Sequence, residues 1–237
     1  MSETSSQPRA HSSMPASPAT VEAPNLLHRV ERADPPLRFS RLNPVDALNA
    51  RAGNRFDVPG AGVLYGATTA AGAYAETLAG FRRKASTQRN LTRHGLEPGR
   101  VAPGEVPADW VTTRRIRTFR VAGSLPFVDV EAPATHTFLT EHAPELLLQH
   151  DLENLDVAHV RGPNRLLTRA IAGWVYSRTD EHGDALYAGI RYVSRLGDFE
   201  CWAVFDGAHV VLDDTRDILY VDPALREIAE LYHLSFA

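Results

Sequence analysis

One carboxylate in this chain, Glu76, stands in unusual company. On a helical wheel of about 100° per residue, Tyr74, Thr77, Leu78 and Phe81 gather on one side. Gly72, Ala73, Ala75, Ala79 and Gly80 surround Glu76 on the other. A solvated helix face would carry Lys, Arg, Gln and several Glu, and glycine inside a helix costs roughly 0.5–1 kcal/mol relative to alanine. Glu76 alone reads as a surface glutamate; its small-residue surround predicts close approach of another backbone or of a ligand. The loop Gly53-Asn54-Arg55-Phe56-Asp57 offers a second clue. Glycine permits unusual dihedrals there, and Arg55 can hold an anion with its planar fork, although arginine in a turn usually faces water. Arg29 is flanked by apolar residues and, if buried, needs an anionic partner, either a structural carboxylate or a ligand. Tyr65 comes from an apolar strand and Ser194 ends another. Each has an ordinary reading, as a core tyrosine and as the start of a turn.

The elements that must position these residues follow from pattern and punctuation. Leu26 to Val30 reads as a first strand, ended by Asp34-Pro35-Pro36. Val63 to Ala67 is a short buried strand, after which Thr68 or Thr69 caps a helix to about Phe81. A polar insertion with a basic cluster covers residues 82–109 and reads as a solvated connection. Trp110 to Val121 and Leu125 to Val130 are strand candidates, and Thr135 to His159 is irregular to helical. Asn164 caps a helix whose apolar stripe is Leu167, Ala170, Ile171, Trp174 and Val175, with Arg165 and Arg169 towards the opposite face. Ala188 to Ser194 and Cys201 to Phe205 are two strands, and Asp222-Pro223 opens a final helix over about 223–232. The sum is an α+β (mixed α/β) fold: one domain over 25–237, preceded by a Ser/Pro/Ala/Thr-rich stretch, 1–24, expected to be disordered.

Composition narrows the function classes. A chain of 237 residues with 43% hydrophobic and 23% charged residues suits a soluble globular protein. A net charge of −4 argues against a protein built to coat nucleic acid. The single cysteine, Cys201, lies within a strand and reads as a packed core residue; it excludes a disulfide framework and fits a cytoplasmic location. No apolar run reaches the roughly 20 residues that cross a bilayer. The histidines lack metal-binding spacing, so no metal site is expected, and GxGxxG, P-loop and GxSxG patterns are absent.

In order, the Arg29 strand, Gly53-Asn54-Arg55-Phe56, Val63-Leu64-Tyr65, Glu76 and Gly189-Ile190-Arg191-Tyr192-Val193-Ser194-Arg195, followed by Trp202-Ala203-Val204-Phe205, resemble the RES family, named for its Arg, Glu and Ser. The resemblance spans roughly Leu26 to Phe205. It departs at Asp57, often Asn in the family, at Val30, where an aromatic often stands close by, and in the insertion after Phe81. The resemblance implies an ADP-ribosyltransferase-like fold, a split, mainly antiparallel β core with flanking helices. It implies an enzyme that breaks NAD⁺ at the nicotinamide–ribose bond by hydrolysis or phosphorolysis. NAD⁺ is then the substrate, inorganic phosphate a co-substrate in the second case, and no other cofactor is needed. It further implies a toxin paired with an Xre-like, DNA-binding antitoxin, without nucleic-acid or membrane binding of its own. By the same resemblance Glu76 stabilises the reacting ribose, and Arg29 and Arg55 anchor the pyrophosphate or a ribose. Tyr65 stacks on nicotinamide or ribose, and Ser194 orients the ribose or Arg29. A macromolecule-modifying ADP-ribosyltransferase and a catalytically silent interaction module are the alternatives.

Overall fold

A computed structural model of the protein describes residues 16–85, 89 and 102–237. Residues 1–15 of the expected tail, and 86–88 and 90–101 of the polar insertion, lie outside the described residues. The core is one large, mainly antiparallel sheet flanked by helices, as expected. Its strands are β1 (Thr20–Val21), β2 (Leu27–Arg32), β3 (Ser40–Arg41), β4 (Gly62–Ala67), β6 (Arg114–Ala122), β7 (Phe127–Asp129), β8 (Gly189–Val193), β9 (Glu200–Phe205) and β10 (His209–Asp217). A small parallel pair joins β5 (Glu105–Val106) to β11 (Ser235–Phe236). The main order is β1-β7-β8-β9-β4-β2-β6-β10, with β3 on the β4 edge, and β7–β8 is its one parallel pairing.

Strict alternation builds two apolar faces. Along β9, Cys201, Ala203 and Phe205 join the larger core under the helices, while Trp202 and Val204 join a smaller cluster with Leu27, Leu64 and Phe119. Gly66 belongs to the second face, where a Cβ would stand 2.8 Å from Phe119 Cζ. Gly66→Ala should therefore lower stability by about 1–3 kcal/mol, because the strand and the ring cannot both stay in place. Thermal denaturation checks this; an unchanged midpoint would contradict the tight packing.

The helices are α1 (Ala70–Leu78), α2 (Asp109–Thr112), α3 (Pro133–His142), α4 (Pro144–Leu148), α5 (Val157–Arg161), α6 (Arg165–Tyr176) and α7 (Pro223–Leu231). Capping follows the sequence: Thr69 Oγ1 accepts from Gly72 N, Asn164 from Leu166 N and Leu167 N, and Asp222 from Ala224 N. The last helix packs on the core through Leu225, Ile228 and Ala229, and Tyr74 of α1 donates to Asp222 Oδ2 at 2.9 Å. Among the described residues, no helix is long and apolar enough to cross a membrane.

Four expectations need correction. Order begins before residue 25: Thr20–Val21 pairs with Val128 and Phe127, and Ala19 N donates to Thr135 Oγ1, non-local bonds that offset the ordering entropy of a polar segment. Trp110, expected to open a strand, is buried in the short helix α2, and the strand starts at Arg114. β10, a polar edge strand with no apolar alternation, was not expected; it is fixed by pairing with β6 and by ion pairs such as Arg115–Asp217 at 2.8 Å. Arg169, expected opposite the apolar stripe of α6, is buried, because a loop of carbonyl groups lies over that part of the helix.

Candidate functional site

The sheet divides between β2 and β4. The two strands pair only at His28↔Ala67 and then separate, and β3 takes up the far end of the β4 edge. Such a separation leaves backbone carbonyls in need of donors. Arg29 fills the gap: Nη1 donates to Tyr65 O at 2.8 Å, and Nε donates to Glu31 Oε2 at 2.8 Å. The carboxylate of Glu31 is buried, accepts from Leu37 N at 2.6 Å, and lies 3.1 Å from Arg117 Nε. Arg29 and Arg117 face each other across β2 and β6, so Glu31 sits between two like charges that would otherwise repel. The partner of Arg29 is thus a structural carboxylate; its Nη2 also donates to Arg38 O at 3.4 Å, and the residue lines a cleft of about 650 Å³.

Glu76 lines the same cleft and is exposed to it. The small residues around it divide between two tasks. At Gly72 a Cβ would stand 2.9 Å from that of Ala67, so the start of α1 lies against β4. At Gly80 a Cβ would meet nothing within 4 Å among the described residues, and Ala73, Ala79 and Gly80 form cleft wall. Both close backbone approach and open space for a ligand are present. Ser194, buried at the end of β8, donates to Glu76 Oε1 at 2.5 Å and accepts from Leu196 N at 3.0 Å. Of the two roles the resemblance implies for it, orienting the ribose or Arg29, the second is not seen: the hydroxyl is bonded to Glu76 and Leu196 N, while Ser194 N closes the hairpin on Phe199 O. Glu131, to which the sequence reading assigned no role, holds the same strand end: it accepts from Val193 N at 2.9 Å and Arg161 Nε at 2.7 Å.

The loop 53–57 forms the opposite wall. Gly53 has φ +51°, and a Cβ there would stand 2.6 Å from Asp57 Oδ2, so glycine is required twice over. Asp57 accepts from Asn54 N at 2.7 Å, Ser40 Oγ at 3.2 Å and Tyr65 Oη at 2.8 Å. All three are donors, which suits a carboxylate in place of asparagine. Burial, together with the neighbouring Asp57, holds the Tyr65 phenol well above its ordinary range. The Tyr65 hydroxyl is therefore committed to the loop, while the residue itself lines the cleft. The loop is pinned to α6: Arg169 donates to the carbonyls of Asn49, Ala52 and Asn54, Arg165 to Gly53 O, and Thr168 to Arg55 O. Arg55 donates to Val160 O and lies 5.4 Å from the centre of the Tyr192 ring. Burial pulls its guanidinium below the ordinary value.

Arg29, Arg55, Tyr65 and Glu76 are thus brought together, with Ser194 behind the acid. Cations also line the rest of the cleft: Arg165, Arg195 and the run Arg82-Arg83-Lys84 bring its arginine and lysine side chains among the described residues to seven, against the one carboxylate of Glu76. This concentration, in a chain of net charge −4, selects anionic ligands. The run 82–84 was legible as basic but not as cleft wall, since only the fold brings it beside Glu76. Among the described residues, no group of three or more His, Cys, Asp or Glu is placed to hold a metal ion. Cys201 is buried and its thiol is pushed well up by burial, so it is core.

None of the curated proteins matches this chain. A chain of the crystal structure of the M. tuberculosis MbcT–MbcA toxin–antitoxin complex is 13% identical, with 90% of each chain covered and a TM-score of 0.46. The family model for the RES domain matches residues 26–225, the span that holds the divided sheet, Glu76 and Ser194, and the chain belongs to the RES domain family.

Proposed function

We propose that this protein binds NAD⁺ in the cleft and breaks its nicotinamide–ribose bond, passing the ADP-ribosyl group to water or inorganic phosphate. The observation that carries the reading is one carboxylate, fixed by a buried serine, in a cleft whose other charged side chains among the described residues are arginines and a lysine. A pyrophosphate asks for cations such as Arg29 and Arg55, and a ribose that becomes positively charged asks for the acid. Departing nicotinamide keeps the electron pair of the broken bond and leaves neutral, so it needs no general acid. The difficulty is the positive charge left on the ribose, as in other oxocarbenium-like glycosidic cleavages. A carboxylate preorganised beside that carbon stabilises it. Water capture then gives ADP-ribose and a proton; phosphate capture gives the anomeric phosphate of ADP-ribose.

In this reading Arg29 takes a phosphate oxygen with the N–H groups that Glu31, Tyr65 O and Arg38 O leave over, and Arg55 takes another from its loop. Tyr65 offers a wall for nicotinamide or ribose. Ser194 positions Glu76 and does not line the cleft itself. Ser194→Ala should lower kcat about 10–100-fold with little change in KM, since a hydrogen bond to a charged group is worth roughly 1.5–3 kcal/mol. An unchanged kcat would show that Glu76 holds its place without the serine. Family membership supports a cytoplasmic toxin that depletes NAD⁺ and is restrained by an Xre-like antitoxin. NAD⁺ labelled in the adenylate half tests the acceptor: label in ADP-ribose or its phosphate supports the reading, and label on protein or nucleic acid would replace it with a transferase.

A further inference from the structure

The cleft holds more positive charge than NAD⁺ needs. NAD⁺ carries two negative charges on its pyrophosphate and one positive charge on nicotinamide, while among the described residues seven cationic side chains and one carboxylate line the cleft. Arg29 and Arg55 stand on the two walls nearest the Tyr65 strand and suffice for a pyrophosphate. Arg82, Arg83 and Lys84 are a separate group, exposed, and placed beyond the end of α1. They follow Glu76 by six to eight residues, which puts them on the order of 10 Å from it along the helical axis. The wall between carries Ala79 and Gly80, and among the described residues no atom beyond its chain neighbours lies within 4 Å of where a Gly80 side chain would start, so the cleft is continuous past this point of the wall. The Arg82 guanidinium lies 4.6 Å from the centre of the Tyr232 ring, a contact that limits its freedom before any ligand arrives.

Resting on the reading of Glu76 as the acid beside the nicotinamide ribose, we propose that Arg82, Arg83 and Lys84 form a subsite for a phosphate monoester on the second ribose, so that the cleft prefers NADP⁺ to NAD⁺. Such a phosphate adds about −1.5 to −2 charge at pH 7 and three acceptor oxygens, which an arginine-rich cluster matches.

The test is binding of ADP-ribose and 2′-phospho-ADP-ribose to the full chain by calorimetry at fixed ionic strength. Neither compound has the scissile bond, so turnover does not enter. The 2′-phosphorylated compound should bind about tenfold tighter or better. Combining Arg82→Gln, Arg83→Gln and Lys84→Gln should bring the ratio to about one and change ADP-ribose affinity only slightly; the three side chains are exposed, so the fold should hold. Equal affinities in the unmodified protein, or a ratio that survives in the variant, would overturn the proposal and leave the NAD⁺ reading standing. An unchanged ratio in the variant, with loss of its competition by inorganic phosphate in the same titration, would also overturn it, assigning the cluster to the co-substrate. If ADP-ribose itself does not bind, the reading of the cleft falls and the subsite with it.

Discussion

Glu76→Gln should lower NAD⁺ cleavage by about 10²–10³-fold, the loss typical when one preorganised stabilising group is removed from an active site. The substitution keeps the size and hydrogen-bonding reach of the side chain, and Ser194 Oγ can still donate to the amide oxygen. Glu76 is exposed, so no buried charge is left unpaired and the melting temperature should hardly move. NAD⁺ affinity should stay within a few-fold, because the cations supply the grip in the ground state and the carboxylate acts only as the ribose gains charge. Steady-state kinetics together with a binding titration separate these effects. Loss of binding in step with turnover would mean that Glu76 serves as a ligand contact and contributes nothing specific to the transition state.

The second large effect is structural. Glu31→Ala removes the carboxylate that neutralises Arg29 and Arg117 and accepts from Leu37 N. Both its oxygens are in use and the side chain is 7% exposed, so two guanidiniums are left facing each other, Arg117 4% exposed and Arg29 20% exposed at the cleft wall. Breaking a buried ion pair in this way costs about 3–5 kcal/mol, which in a domain of this size lowers the melting temperature by roughly 6–20 °C. Arg29 should also lose its fixed direction, so KM for NAD⁺ should rise in whatever fraction stays folded. Chemical denaturation and initial-rate kinetics read the two consequences. Wild-type stability in Glu31→Ala would show that the arginines repack without their acid. Glu31→Gln should fall in between, keeping the acceptor while losing the charge.

The sequence showed the parts of the site that are locally encoded. The small-residue surround of Glu76 is a property of the nine consecutive residues Gly72 to Gly80, and the structure resolves it into strand packing at Gly72 and cleft wall at Gly80. The Gly53 loop is equally local: a positive φ and a nearby carboxylate both demand glycine. Strands such as β4 and β9 were legible because an apolar run between turn residues admits few other readings. What was hidden is non-local. Whether Arg169 meets solvent depends on the loop carbonyls that fold over α6, which no wheel of that helix contains. β10 exists because β6 offers it an edge. The partner of Ser194 lies 118 residues away, on α1. The same holds for Arg82-Arg83-Lys84, a solvated run by composition that lines the cleft only once α1 has been laid against β4.

The most direct test of the central claim is release of nicotinamide. Purified protein should be incubated with excess NAD⁺, with and without inorganic phosphate, and nicotinamide followed by chromatography beside Glu76→Gln. Many equivalents of nicotinamide per protein, in at least one of the two buffers and nearly abolished in the variant, are the predicted result. Folded protein, free of any antitoxin, that releases no nicotinamide under either condition would contradict the account.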